Sequence, residues 1–173
     1  MIDLKSLGLD GPEPSVERIE VTQPLELVTS RWQNWREEAG VPVGITVGRP
    51  RFVRYNYLTI KALAPWELMK PPLKGIDDIP IERRVYRRRL AAHEQEILGA
   101  LNELAQTYPG LPAVLMCFED VLGKDGPDGC HRRWVAQWWQ ERYGWDVPEL
   151  AARAGAAPAQ PRKPKPEQPP TLF

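Results

Sequence analysis

Cysteine is scarce in this chain, two residues among 173, and that scarcity excludes a disulfide-stapled scaffold. Net charge is absent too. With 23 basic residues against 23 acidic ones, no global field draws the protein to nucleic acid or to a membrane surface, so local clusters must carry any such attraction. Long apolar runs are also missing; none approaches the roughly 20 residues that cross a bilayer. The start, Met1-Ile-Asp-Leu-Lys, lacks the basic and then apolar pattern of a secretion signal, so a cytoplasmic protein with reduced thiols is expected. No internal repeat occurs.

What is present is enough apolar sequence for one ordinary core, 42% of residues. Residues 1 to about 14, with Gly8, Gly11, Pro12 and Pro14, read as a loose lead-in. From Ala151 the chain turns into Gly-Ala-Ala-Pro-Ala-Gln-Pro-Arg-Lys-Pro-Lys-Pro-Glu-Gln-Pro-Pro, a proline-rich tail unable to bury enough surface to fold. The folded domain is therefore expected over 15–150 and a disordered tail over 151–173.

Within the domain, Leu25, Val28, Trp32 and Trp35 recur at helical spacing before Gly40, so the pattern predicts an amphipathic helix over about 25–38. Val41 to Val47 reads as a strand. Tyr86, Leu90, His93, Ile97, Leu101 and Leu104 mark one long helix over 81–107. Ala113 to Phe118 is a short, wholly apolar run, as in a central strand, and a last helix runs from about Gly129 to Tyr143, stopped by Gly144. Trp145 to Leu150 suggests a short final strand. Alternating helices and buried strands predict a single α/β domain, three-layer-like, with a mostly parallel sheet and flanking helices.

Both cysteines fall in one strand-loop-helix unit. Cys117 closes the strand Val114-Leu-Met-Cys, at the edge where open α/β sheets bind ligands, and Glu119 shares its strand parity. Cys130, His131 and Arg132 open the following helix. With Asp128 as expected N-cap, the free amides and an arginine favour a thiolate at Cys130. Cys117, Glu119, Cys130, His131 and Arg132 are thus the candidate catalytic set. The competing reading makes Cys117 a small core residue and His131 a packing neighbour of Trp134 and Val135. No Cys-x-x-Cys or His-x-x-x-His pair occurs, and adjacent Cys-His is an unusual ligand pair, so no metal is expected and the cofactor is left open. A phosphatase loop needs Arg six positions after the cysteine; Gly123 and Ala136 stand there instead.

A second constellation follows the strand of residues 41–47: Arg49, Arg51 and Arg54 interleaved with Phe52, Tyr55 and Tyr57. Guanidinium forks and aromatic faces together suit a phosphate-bearing ligand, either a nucleotide or a single strand. Arg49, Arg51, Phe52, Arg54 and Tyr55 are the candidate ligand-binding set. Arg83, Arg84, Arg87, Arg88 and Arg89 read as a solvated helix face, offset by nearby glutamates.

Gly44-Ile-Thr-Val-Gly-Arg-Pro-Arg-Phe, Leu63-Ala-Pro-Trp, Tyr86-Arg-Arg-Arg-Leu, Val114 to Val121, Cys130-His-Arg-Arg and Val147-Pro-Glu-Leu resemble successive signatures of the domain-of-unknown-function family numbered 488, over about 41–150. The pairing of Cys-x-Glu with a later Cys-His-Arg is the most specific element. The resemblance implies a compact α/β domain of bacteria, archaea or their viruses, with Cys117, Glu119, Cys130, His131 and Arg132 in the family's characteristic positions. It supplies no reaction. Two departures stand out: the usual Asp-x-Arg run after the first strand is missing, and the loop from Gly123 to Gly129 is long.

The end of the chain, Gln168-Pro-Pro-Thr-Leu-Phe173, resembles the short peptides by which replication and repair proteins dock on the sliding clamp, through Gln168, Leu172 and Phe173. Two functional expectations follow. One is an enzyme acting on a phosphate-bearing ligand, nucleotide or nucleic acid. The other is a non-catalytic nucleic-acid-associated adaptor tethered to a sliding clamp. Neither involves a membrane.

Overall fold

The computed structural model describes residues 3, 5–13 and 15–151. The tail from 152 onward, including the clamp-like end at Gln168, Leu172 and Phe173, lies outside the described residues. Four strands, β1 (Leu27–Arg31), β2 (Val41–Gly44), β3 (Leu58–Thr59) and β4 (Ala113–Cys117), form one all-parallel sheet in the order β1-β4-β2-β3. Three α-helices, α1 (Ile79–Ala92), α2 (Glu94–Thr107) and α3 (His131–Tyr143), complete the expected α/β domain. No helix among the described residues is long and apolar enough to cross a membrane.

Alternation along the strands divides the core into two layers. Leu27, Val43, Ile45, Ala113 and Leu115 face the helices, packing on Tyr86, Leu90, Ile97, Leu101, Trp134, Val135 and Trp139. Val28, Val114 and Met116 face the other way, onto Trp32, Val53, Trp35, Tyr55, Tyr57 and Phe118. That second layer contains 3-10 turns and aromatic loops where the first has helices. Gly44 is what lets it close: a Cβ there would lie 2.9 Å from the Trp32 ring and 3.0 Å from that of Tyr57.

The helix expected over 25–38 is instead β1 followed by the 3-10 turns Trp32–Asn34 and Glu37–Ala39. The spacing misled because β1 is covered on both faces, Leu27 by helices and Val28 by the Trp32 layer, so apolar residues do not alternate with polar ones. The single long helix over 81–107 is two helices broken at His93, which sits outside helical geometry at φ −109° and ψ 16°. Both segments keep the stripe, so the break leaves the periodicity intact. Asp78 caps α1 by accepting from the Ile81 amide at 3.1 Å, and Gly144 ends α3 in the left-handed conformation at φ 74°, as expected of a C-terminal glycine. The final strand shrinks to one parallel bridge, Thr29 with Glu149, along the outer edge of β1.

The lead-in is held on α1. Leu9 is 3% exposed, Arg84 and Arg88 donate to the carbonyls of Leu9, Leu7 and Gly8, and Arg87 pairs with Glu13 at 2.8 Å. The arginines of α1 therefore fasten the molecule together where a solvated face was expected.

Candidate thiol, carboxylate and imidazole site

Because all four strands run parallel, their carboxyl ends share one edge, and β4 lies between β1 and β2 there. Cys117 ends β4 opposite Arg31 of β1. The chain then turns through residues 118–129, where Asp125 accepts from the Asp120 amide at 2.6 Å and Arg31 pairs with Asp120 at 3.4 Å. Gly129 closes this loop: a Cβ at that position would stand 2.3 Å from the Asp125 carbonyl oxygen, too close for any side chain. The chain thus returns to the edge at Cys130.

The N-cap of α3 is Cys130, extended at φ −150° and ψ 141°, and not Asp128. Asp128 is occupied elsewhere, its carbonyl accepting from the Trp134 indole at 2.9 Å and its carboxylate from Gln137 at 3.2 Å. That engagement carries the thiol of Cys130 back over the sheet edge toward Cys117.

Four reactive side chains converge there. The Sγ atoms of Cys117 and Cys130 lie 2.8 and 2.9 Å from the same oxygen, Oε2 of Glu119. His131 Nδ1 is 3.4 Å from Cys117 Sγ and 3.8 Å from Cys130 Sγ, while Nε2 is 2.8 Å from the carbonyl oxygen of Ile45. One ligand atom from each of the four lies within 4.8 Å of the others, and both cysteines are free thiols. Glu119 is half-buried and the other three are buried, with Tyr86 edge-on over the imidazole at 5.3 Å. As a set, the four have the donor types of a soft-metal site as well as those of thiol catalysis.

Electrostatics separate the two thiols. Burial pushes Cys117 well above the ordinary thiol range, and the neighbouring Cys130 and Glu119 push it further. Burial opposes ionisation of Cys130 as well, but the hydrogen bond from Cys117 and the charge of His131 outweigh it and bring Cys130 down to about 6. For Glu119, burial is overcome by the two thiols, which hold its carboxyl below the usual range. Against the cost of burial, Cys130 and Glu119 raise His131.

Arg132 takes a supporting position. At 1% exposure it forks onto Glu149 through Nε and Nη2, at 3.1 and 2.9 Å, and donates to the Glu119 carbonyl at 2.9 Å. Glu149 also accepts from Thr29 at 2.6 Å, and Arg133 joins the same network through Thr29 and the Val147 carbonyl. Sequence reasoning misses Glu149 as a partner, although the residue stands in the Val147-Pro-Glu-Leu motif. Its contact with Arg132 depends on the bridge to β1.

The arginine loop adjoins this edge. It starts beyond Ile45, whose carbonyl holds His131, and Phe52 meets Phe118, next to Cys117, at 6.3 Å between ring centres. Arg49, Arg51, Phe52 and Arg54 are exposed. Tyr55 is committed, its hydroxyl to the Trp32 carbonyl at 2.9 Å and its ring to Trp35 at 4.3 Å. A cleft of about 460 Å³ runs between Trp35, Arg36, Phe52, Arg54 and Tyr55.

These features define a parallel α/β protein with a buried dithiol, carboxylate and imidazole centre at the carboxyl edge of its sheet. No protein-family model matches the chain, and no curated protein or solved structure matches it.

Proposed function

We propose that the protein is an enzyme acting on a phosphate-bearing ligand, a nucleotide or a nucleic-acid end, at the carboxyl edge of its sheet. The observation that carries this reading is the 2.8 Å contact between His131 and the Ile45 carbonyl, which joins the reactive cluster to the root of the arginine loop. Arg49, Arg51 and Arg54 hold anionic oxygens, Phe52 offers a stacking face, and the cleft lined by Phe52 and Arg54 has room for a base. Cys117, Glu119, Cys130 and His131 supply the chemistry, with Glu119 or His131 handling protons. Substrate reaches the cluster from the side of Glu119, its most exposed member.

The test is binding of nucleoside phosphates and of short 5′-phosphorylated single strands, followed by tryptophan fluorescence, since Trp32 and Trp35 line the cleft. Replacing Arg49, Arg51 and Arg54 together with Gln should weaken binding about tenfold or more and flatten its salt dependence. Unchanged affinity in the triple variant overturns the reading. The exposed arginines also favour a second reading, a nucleic-acid adaptor. An adaptor keeps its activity in Cys117→Ser and Cys130→Ser variants, whereas an enzyme loses it.

A further inference from the structure

We propose that Cys117 Sγ, Cys130 Sγ, His131 Nδ1 and Glu119 Oε2 bind one zinc-class divalent cation, a site that makes the two cysteines ligands and leaves Glu119 as the exchangeable position. The inference deepens the reading above and rests on it only for where the chemistry occurs.

Three observations converge on it. The first is geometry. Four-coordinate zinc, with bonds of about 2.3 Å to sulfur and about 2.0–2.2 Å to nitrogen or oxygen, spaces its donors about 3.6 Å apart for mixed pairs. The two sulfur-to-Nδ1 separations, 3.4 and 3.8 Å, bracket that value. The sulfur-to-oxygen separations of 2.8 and 2.9 Å are shorter, so the half-buried Glu119 side chain must draw back when the ion enters, and its position toward solvent permits this.

The second is the orientation of the imidazole. A carbonyl oxygen only accepts, so the contact with Ile45 places a proton on Nε2 of His131 and turns Nδ1 toward the sulfurs, where its lone pair is free whenever the ring is neutral. A backbone carbonyl fixing the far nitrogen of a ligand histidine is the usual support of a metal site. Arg132 holds the Glu119 backbone in a comparable way, from its own buried pairing with Glu149.

The third is the donor set. Two thiols, an imidazole and a carboxylate meet at one point. The set of two sulfurs, one nitrogen and one oxygen selects a borderline-soft ion of zinc type over magnesium or calcium, which take oxygen ligands. The missing Cys-x-x-Cys spacing does not count against this, because β4 and the start of α3 bring the ligands together from separate elements.

The experiment uses the full chain, stripped by chelator under reducing conditions and titrated with Co2+ and then Zn2+. One equivalent of cobalt should produce the sulfur-to-metal charge-transfer band and the intense visible bands of a four-coordinate site, and zinc should abolish both. Cys117→Ser and Cys130→Ser should each lose more than about 100-fold in affinity, and Glu119→Gln about 10 to 100-fold, comparable with loss of an orienting partner. Should a serine variant fail to fold, the wild-type chain still decides: bound zinc must block alkylation of Cys130, the thiol that reacts in the metal-free chain. Absence of the cobalt band, or equal alkylation with and without zinc, overturns the site. Nucleotide affinity without the cobalt band refutes the metal alone. The cobalt band without nucleotide affinity supports the metal and refutes the phosphate-ligand reading.

Discussion

Two arginine-rich segments of this chain look alike in sequence and differ in the fold. On α1, Arg87 reaches Glu13 at 2.8 Å and Glu141 at 2.7 Å, Arg89 reaches Glu67 at 2.8 Å, and Arg84 and Arg88 bind carbonyls of the lead-in. Arg49, Arg51 and Arg54 are exposed instead, and Arg54 lines a cleft. Local charge density therefore says little about ligands; what matters is whether acidic groups and carbonyls from elsewhere in the chain have already claimed the guanidinium groups. Arg132 is the extreme of the first kind, buried and bidentate on Glu149.

The largest effect that would sharpen this contrast is at Arg132. Arg132→Ala leaves Glu149 buried without its cation and should cost about 3–5 kcal/mol of stability, measured by urea unfolding. The paired variant Arg132→Met with Glu149→Gln should recover part of that loss, and no recovery would break the account. In the loop the expectation is reversed: the Arg49, Arg51 and Arg54 triple Gln variant should change stability by less than about 0.5 kcal/mol per site while losing ligand affinity. A strongly destabilised triple variant would place the loop arginines with those of α1. Arg87→Ala, between these extremes, should cost about 0.5–1 kcal/mol, shrinking in high salt because its partners are partly exposed.

The smallest effect is a pH dependence inside the cluster. In chelator-treated protein, alkylation of Cys130 should rise through pH about 6, and that of Cys117 should stay slow beyond the ordinary thiol range. The sign follows for stability. Cys130 is more acidic folded than at its ordinary 9.0, so its contribution is complete above pH 9 and is lost as pH falls through about 6. Equal alkylation profiles for the two thiols would remove the electrostatic distinction between them.

Several elements were legible because their signal is local. The apolar run of β4, the start of β2 at Val41 and the stop of α3 at Gly144 each come from a few adjacent residues. The reading failed where a distant element supplies the environment. Val28 and Trp32 look helical until the aromatic layer under the sheet is known, and α1 and α2 share a stripe that conceals the break at His93. Within the site, Cys117 with Glu119 and Cys130 with His131 were legible as two pairs, because strand parity and the head of a helix are local properties. Their meeting at one carboxylate oxygen was not, nor was the support of Arg132 by Glu149.

By itself, then, the sequence determined the alternation of helix and buried strand, the placing of both cysteines at one strand end and one helix start, and a balanced composition without a membrane-length apolar run, since each depends only on residue type and spacing. The tertiary structure alone decided which arginines are fasteners and which are exposed, which nitrogen of His131 meets the Ile45 carbonyl, and that four reactive side chains share one point. Those outcomes depend on the parallel sheet bringing β1, β2 and β4 to a common edge, and on contacts between segments far apart in the chain whose partners no local pattern names.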